Sequence, residues 1–305
     1  MPRQRRSTAV LLMLIALVTL RMDAGIANRT AAAALDDPPP GPDTTRLELV
    51  DWAEQQLVAE CMRQRGHRYH IRWHRAAQPA PPAGWRYGSD DVQLARQTGY
   101  GSTRSQPRTN DSPNSRYLAG LTPGQLDAYT FALHGGRSDV VTVALSDQGR
   151  MSMSRLGCLS AARRTLFGDF DRWFEITTVL TNLQVEYVPA VLQDARYRIA
   201  LADWRACMHD AGRPYDDPSA ARQDAMERPQ SAVDIAVADA TCAARSQLIA
   251  VAVAVEERER ARAEQRHQVE RRELEAMYAT AEAYAQTLLR RTQEQVSPRS
   301  EGAHG

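Results

Sequence analysis

A nine-residue pattern that occurs twice, each time around a cysteine, constrains this chain more than any other feature. Residues 61–69 read Cys-Met-x-x-x-Gly-x-x-Tyr through Cys61, Met62, Gly66 and Tyr69, and residues 207–215 repeat it through Cys207, Met208, Gly212 and Tyr215. The other two of the four cysteines, Cys158 and Cys242, follow one per copy, each opening a small-residue stretch that contains arginine. An even number of cysteines behind an export signal reads as a disulfide framework, for which four cysteines allow three pairings. The duplication selects Cys61–Cys158 and Cys207–Cys242, because each unit then carries its own staple. Zinc would want close pairs such as Cys-x-x-Cys, and the sequence has none.

The export signal is residues 1–27. Arg3, Arg5 and Arg6 give a positive start, Ala9 to Leu20 an apolar run, and Gly25-Ile26-Ala27 a small-x-small cleavage site. The run falls short of the roughly 20 residues a membrane span needs. The mature chain is therefore expected to begin between Asn28 and Leu35, outside the cytoplasm and with no membrane span. All 38 basic residues are arginine and the net charge is +1, so no global field draws the protein to nucleic acid or to an anionic surface. Aromatic residues make up 6% of the chain, which also disfavours a base-stacking platform or a sugar-binding groove.

Residues 28–44, rich in Ala, Asp and Pro, read as a tether. A helix follows from about Thr45 to Arg65, with Gly66 as its stop, and then a short strand with Tyr69, Ile71 and Trp73 on its buried face. The polar stretch 98–116 reads as an exposed or disordered loop. Thr122-Pro123 opens another helix, which Gly135-Gly136 closes. Residues 139–145 and 150–154 flank Ser146-Asp147-Gln148-Gly149 as a β-hairpin. Helices resume at Cys158 and run on to about residue 211, with breaks expected near Gly168 and Pro189. In the last of them Tyr197, Leu201, Trp204, Met208 and Ala211 form one stripe, which Gly212 closes.

From a capping-box-like Ser231-Ala-Val-Asp234 onward no Gly or Pro occurs until Pro298, which predicts one long helix. Its first part, to Val255, is apolar on a broad face. Residues 256–273 are nearly all Glu and Arg, with Glu256/Arg260 and Arg266/Glu270 one turn apart, and are expected to project into solvent. A stripe returns through Leu274, Met277, Ala281, Tyr284 and Leu288, read here as a coiled-coil-like face for a partner protein.

The second copy, Asp203-Trp204-Arg-Ala-Cys207-Met208-His-Asp-Ala-Gly212-x-x-Tyr215-x-x-Pro218, with Ile235-Ala-Val-Ala-Asp239-Ala-x-Cys242, resembles a group of uncharacterised exported proteins of actinobacteria. So does Gly157-Cys158 with Leu166-Phe167-Gly168. The resemblance covers about residues 45–275. It implies export and a helical fold, and it brings no activity, ligand or site residue.

The remaining constellations each have a plain structural explanation. His67, His70 and His74 could bind a metal if they were helical, but Gly66 ends the helix before them, and an exposed strand face accounts for them more simply. Gly99-Tyr100-Gly101 reads as a turn, and Asp216-Asp217 as a cap for the next helix. No nucleophile elbow, phosphate loop or His-Glu-x-x-His helix is present, and no cofactor is implied. The expected fold is mainly α-helical, with a small hairpin, two disulfides and a long C-terminal helix. It divides into a first stapled unit (45–187), a second (188–255), a projecting helix (256–295) and a tail (296–305). The expected function is that of a non-catalytic interaction protein of the cell envelope or its exterior. The alternatives are a secreted hydrolase with its site in 66–116 and a metal-binding module on the three histidines.

Overall fold

The computed structural model describes residues 36–73, 84–101, 112–145 and 149–296. The signal-like segment, His74 and the central residues of the hairpin turn lie outside them. The fold is mainly helical with one antiparallel two-stranded hairpin, and both disulfides pair as the duplication requires, Cys61–Cys158 and Cys207–Cys242.

Helix α1 (Arg46–Gln64) starts on a capping box, the Thr45 hydroxyl accepting from the Glu48 amide while the Glu48 carboxylate accepts from the Thr45 amide. It buries Val50, Trp52, Ala53, Val58 and Met62. Its end explains the repeated pattern. The His67 amide donates to the Met62 carbonyl at 2.9 Å and the Gly66 amide to the Arg63 carbonyl at 3.0 Å, with Gly66 at φ +80°. In the second copy Arg213 donates to Met208 at 2.9 Å and Gly212 to His209 at 2.9 Å, with Gly212 at φ +71°. Both are Schellman caps, in which glycine takes the left-handed position and two otherwise orphaned carbonyls are satisfied. Cysteine and fully buried methionine thus sit in the last turns of two identically terminated helices.

After α1 the chain crosses to the second unit. A 3-10 turn (Trp85–Tyr87) and α2 (Val92–Thr98) pack against residues of the C-terminal half. The first unit then resumes with α3 (Pro113–Ala119), α4 (Pro123–His134), strands β1 (Val140–Ala144) and β2 (Arg150–Ser154), α5 (Cys158–Phe167) and α6 (Phe170–Thr181). Val140 pairs with Ser154 and Ala144 with Arg150. The second unit comprises α7 (Gln184–Gln193), α8 (Ala195–Asp210), α9 (Pro218–Glu227), α10 (Ala232–Ser246) and α11 (Leu248–Arg266). Helix α12 (Gln268–Val296) then returns to the first.

Several expectations need correction. The segment 69–73 is extended but pairs with the supposed tether and not with a sheet. The Asp37 amide donates to the Ile71 carbonyl at 3.0 Å, and the Asp36 and Asp37 carboxylates accept from the Ile71 and Trp73 amides. Part of the polar stretch is helical, because Ser112 caps α3 and Pro113 occupies its first turn. Pro189 lies inside α7, and the helix breaks fall at 182–183 and at Asp194. Ser231 makes no side-chain cap.

The single long C-terminal helix is three helices. Gln247 adopts φ +54°, a left-handed conformation, and turns the chain by 66° between α10 and α11. Such a residue costs about 1–2 kcal/mol without glycine. Full burial of Leu248 and near-full burial of Ile249 offset that cost. A second break falls at His267, whose Nε2 lies 2.7 Å from the Glu186 carboxylate of α7.

The projecting arm is therefore wrong. Helix α12 folds back onto α1, α5 and α6, burying Ala281 and Ala285 completely beside Trp52, Phe167 and Trp173. Leu274, Met277 and Leu288 pack partly on the same core, while Tyr284 is one of the exposed large side chains. The true stripe runs through Tyr278 and Ala285, and its alanines let α12 approach α1 closely. Arg172 grips Glu273 with both ends of its guanidinium, and Arg46 pairs with Glu275. The charged stretch before it is held too, since Arg258 reaches Asp194 at 2.7 Å and Arg266 reaches Glu186 at 3.0 Å.

Candidate functional site

Two helices of the second unit are joined by two successive rungs. Trp204 and Cys207 lie three residues apart on α8, and Asp239 and Cys242 lie three apart on α10. Cys207 bonds Cys242, and one turn earlier the Trp204 indole donates to Asp239 Oδ1 at 2.9 Å. Asp239 shares the buried stripe of α10 with Ile235 and Cys242, so the fold of the helix alone carries its carboxylate inward. The residue is 1% exposed.

Its second oxygen meets the strap formed by residues 84–101. Asp91 caps α2 by accepting from the Leu94 amide at 2.8 Å, and Gly99 ends the helix at φ +63°. Tyr100 then turns inward and donates its hydroxyl to Asp239 Oδ2 at 2.9 Å. The strap can lie this close because small residues face each other, Ala95 on α2 against Ala236 and Ala240 on α10. Gly84 is seated so tightly on α11 that a Cβ there would come within 2.7 Å of Ile249 Cγ2.

Between strap and helices lies a cavity of about 520 Å³, lined mainly by Trp85, Leu94, Tyr100, Asp239 and Ile249, with Ser89, Asp90, Asp91 and Arg222 as its other polar residues. That size is typical of small-molecule sites, as is a mostly apolar wall with few polar groups. Burial pushes the Asp239 carboxyl up to about 6, against the hydrogen bonds from Tyr100 and Trp204 and the charge of Arg222, which pull it down. Tyr100 is raised as well, by burial first and then by the neighbouring carboxylate. Arg222 donates to the Trp85 carbonyl at 3.1 Å and lies over the Tyr100 ring, 5.6 Å from its centroid.

The first unit has the same disulfide without this site. Val58 stands where Trp204 does, three residues before Cys61, and Arg155 stands where Asp239 does, three before Cys158. Arg155 lies ahead of α5 and reaches Asp171 and Asp139.

The histidines do not assemble. His70 is buried, its Nδ1 3.3 Å from Asp36 and its backbone bonded twice to the Asn114 side chain, while His67 packs edge-on against Tyr129. His74 lies outside the described residues, and among the described residues no group of three potential ligands forms. Asp217 caps α9 through the Ala220 amide, as the sequence suggests. Asp239 and Trp204 both stand near the second copy of the repeated cysteine pattern, yet their pairing is invisible without the fold. The available signal was an acid on the buried face of an otherwise apolar helix. Gly99-Tyr100-Gly101 is a turn, but one that delivers a side chain to the site.

All four cysteines are bonded, which places the chain in an oxidising environment. Among the described residues no single helix is long and apolar enough to cross a membrane. No protein-family model, curated protein or solved structure matches this chain.

Proposed function

We propose that this is a secreted, non-catalytic binding protein that takes a small, largely apolar ligand in the cavity beneath the 84–101 strap. The observation that carries the reading is the cavity itself, 520 Å³ with an apolar wall and one buried carboxylate held by two hydrogen bonds. Binding fits better than catalysis because among the described residues no histidine lines the cavity, and Ser89, the one serine among them, accepts a hydrogen bond from the Asp91 amide at 3.2 Å in the cap of α2. Export agrees with the signal-like N-terminus and the paired cysteines, as does the resemblance to exported actinobacterial proteins. The stripe at residues 274–288 is mostly occupied by the protein's own core and has no part in this reading.

Titration with the neutral dye Nile red tests it. Saturable one-to-one binding with a blue-shifted emission is expected, and Trp85→Ala should weaken it about tenfold through loss of an aromatic wall. Unsaturable binding, or a Trp85→Ala variant that binds as tightly as the parent, would overturn it.

A further inference from the structure

The charges around the cavity point to the class of ligand, an inference that rests on the binding reading above. Among the described residues three carboxylates line it, those of Asp90, Asp91 and Asp239, against one guanidinium, that of Arg222. That guanidinium is already engaged, by the Trp85 carbonyl and by the Tyr100 ring. Asp239 is different. Its two oxygens each accept one hydrogen bond, and a carboxylate has about four acceptor positions in all. It can therefore accept from a ligand without releasing Tyr100 or Trp204. Trp85, 48% exposed, lines the same cavity, and indole is the ring that attracts cations most strongly.

A second hollow of about 310 Å³ shares Gly99, Tyr100 and Gly101 with the main cavity and is lined also by Met226 and Val233. Leu94, Met226 and Val233 are 48%, 58% and 45% exposed, so apolar surface flanks the strap on both sides. An extended hydrocarbon chain would cover such surface, whereas a compact polar metabolite would leave it wet.

We propose that the site binds an apolar organic cation, a protonated amine whose N–H donates to Asp239, whose charge is attracted by Trp85, and whose hydrocarbon part lies against the apolar wall of the cavity. An anionic amphiphile would meet three carboxylates for one committed arginine. A neutral chain would add no charge to the two hydrogen bonds and the Arg222 field that already offset the burial of the carboxylate.

Isothermal titration calorimetry on the full, oxidised chain at pH 7.5 separates the readings, with three eight-carbon probes used below micelle formation: octylammonium, 1-octanol and octanoate. The cation is expected to bind at least tenfold more tightly than octanol, and octanoate more weakly than either. Asp239→Asn should erase the preference for the cation over octanol. Arg222→Gln should enlarge that preference several-fold and serves as the second test should Asp239→Asn fail to fold. Octanol or octanoate binding as tightly as the cation would overturn the ligand class and leave the binding reading standing. Failure of all three probes to bind at millimolar concentration would overturn both.

Discussion

Replacing Asp239 by asparagine should make the protein more stable at neutral pH, although it removes a buried, doubly hydrogen-bonded residue. The carboxyl titrates near 6 in the folded protein and at an ordinary 3.8 in the unfolded chain, because burial penalises its charge. A folded-state value raised above the unfolded one means that the folded protein holds the proton more tightly between them. Stability must then fall as pH rises through that window, with a limiting slope of about 1.4 kcal/mol per pH unit. About two units of displacement correspond to roughly 3 kcal/mol lost by pH 7.5 relative to pH 3.8. The asparagine oxygen can still accept from the Trp204 indole, and its amide can donate to the Tyr100 hydroxyl, so both contacts survive in neutral form. Urea denaturation followed by tryptophan fluorescence, with disulfides intact, should show Asp239→Asn about 1–3 kcal/mol more stable than the parent at pH 7.5. The two should converge only below about pH 3.8, with roughly a third of the difference still present at pH 4.5, and the difference curve cancels all other titrating groups. Glu186, held low against its burial by His267 and Arg266, and Asp224, held low by Arg228 and Tyr215, lose their contribution as pH falls from their ordinary values toward the lower folded ones, and the difference curve removes both. A variant less stable than the parent at pH 7.5, or a difference that does not change between pH 4.5 and 7.5, refutes the reasoning. The ionised hydrogen bonds would then outweigh desolvation.

Converting Cys207 and Cys242 to serine opens a loop spanning 35 positions and should cost about 4 kcal/mol by the chain-entropy relation, read in the same denaturation experiment. It should also lower Nile red affinity, because the Trp204–Asp239 rung loses the clamp one turn away. Gly84→Val places a branched side chain against Ile249 at a left-handed position, so the strap should lift, with faster amide exchange across residues 92–98 and an unaltered first unit. Deleting residues 268–305 removes Ala281 and Ala285 from the first core, which should become protease-sensitive while the Cys207–Cys242 unit stays protected. Unchanged proteolysis of the truncated chain would mean that α12 contributes nothing to that core.

What the sequence made legible follows from the strength of each local signal. The duplicated cysteine pattern led to both disulfides because a Schellman cap has a fixed geometry and leaves a fixed trace, a glycine four residues after a methionine. Thr122-Pro123 and Asp217 were readable as caps for the same reason. The bends at Gln247 and His267 left no such trace, since neither is glycine or proline, and tertiary burial of Leu248 imposes the first. The return of α12 depends on two alanines, too small to mark a buried face by hydrophobicity, and this shifted the expected stripe from Ala285 to Tyr284. The site was illegible because Tyr100 and Asp239 are 139 residues apart and meet only when the strap crosses between units.

The crossing of the two units also fixes an order of events during synthesis. Every described piece of the second unit, from the strap to α11, leaves the ribosome before α12 does. The first unit holds the earliest residues of the fold, yet its core stays open on the α12 side until the last described helix arrives. Through that interval Trp52, Phe167 and Trp173 have no lid of their own, and a nascent chain in this condition is the kind of species that aggregates or recruits a holding chaperone. Folding that normally proceeds from the front of a chain runs here from back to front, with the N-terminal half closing last.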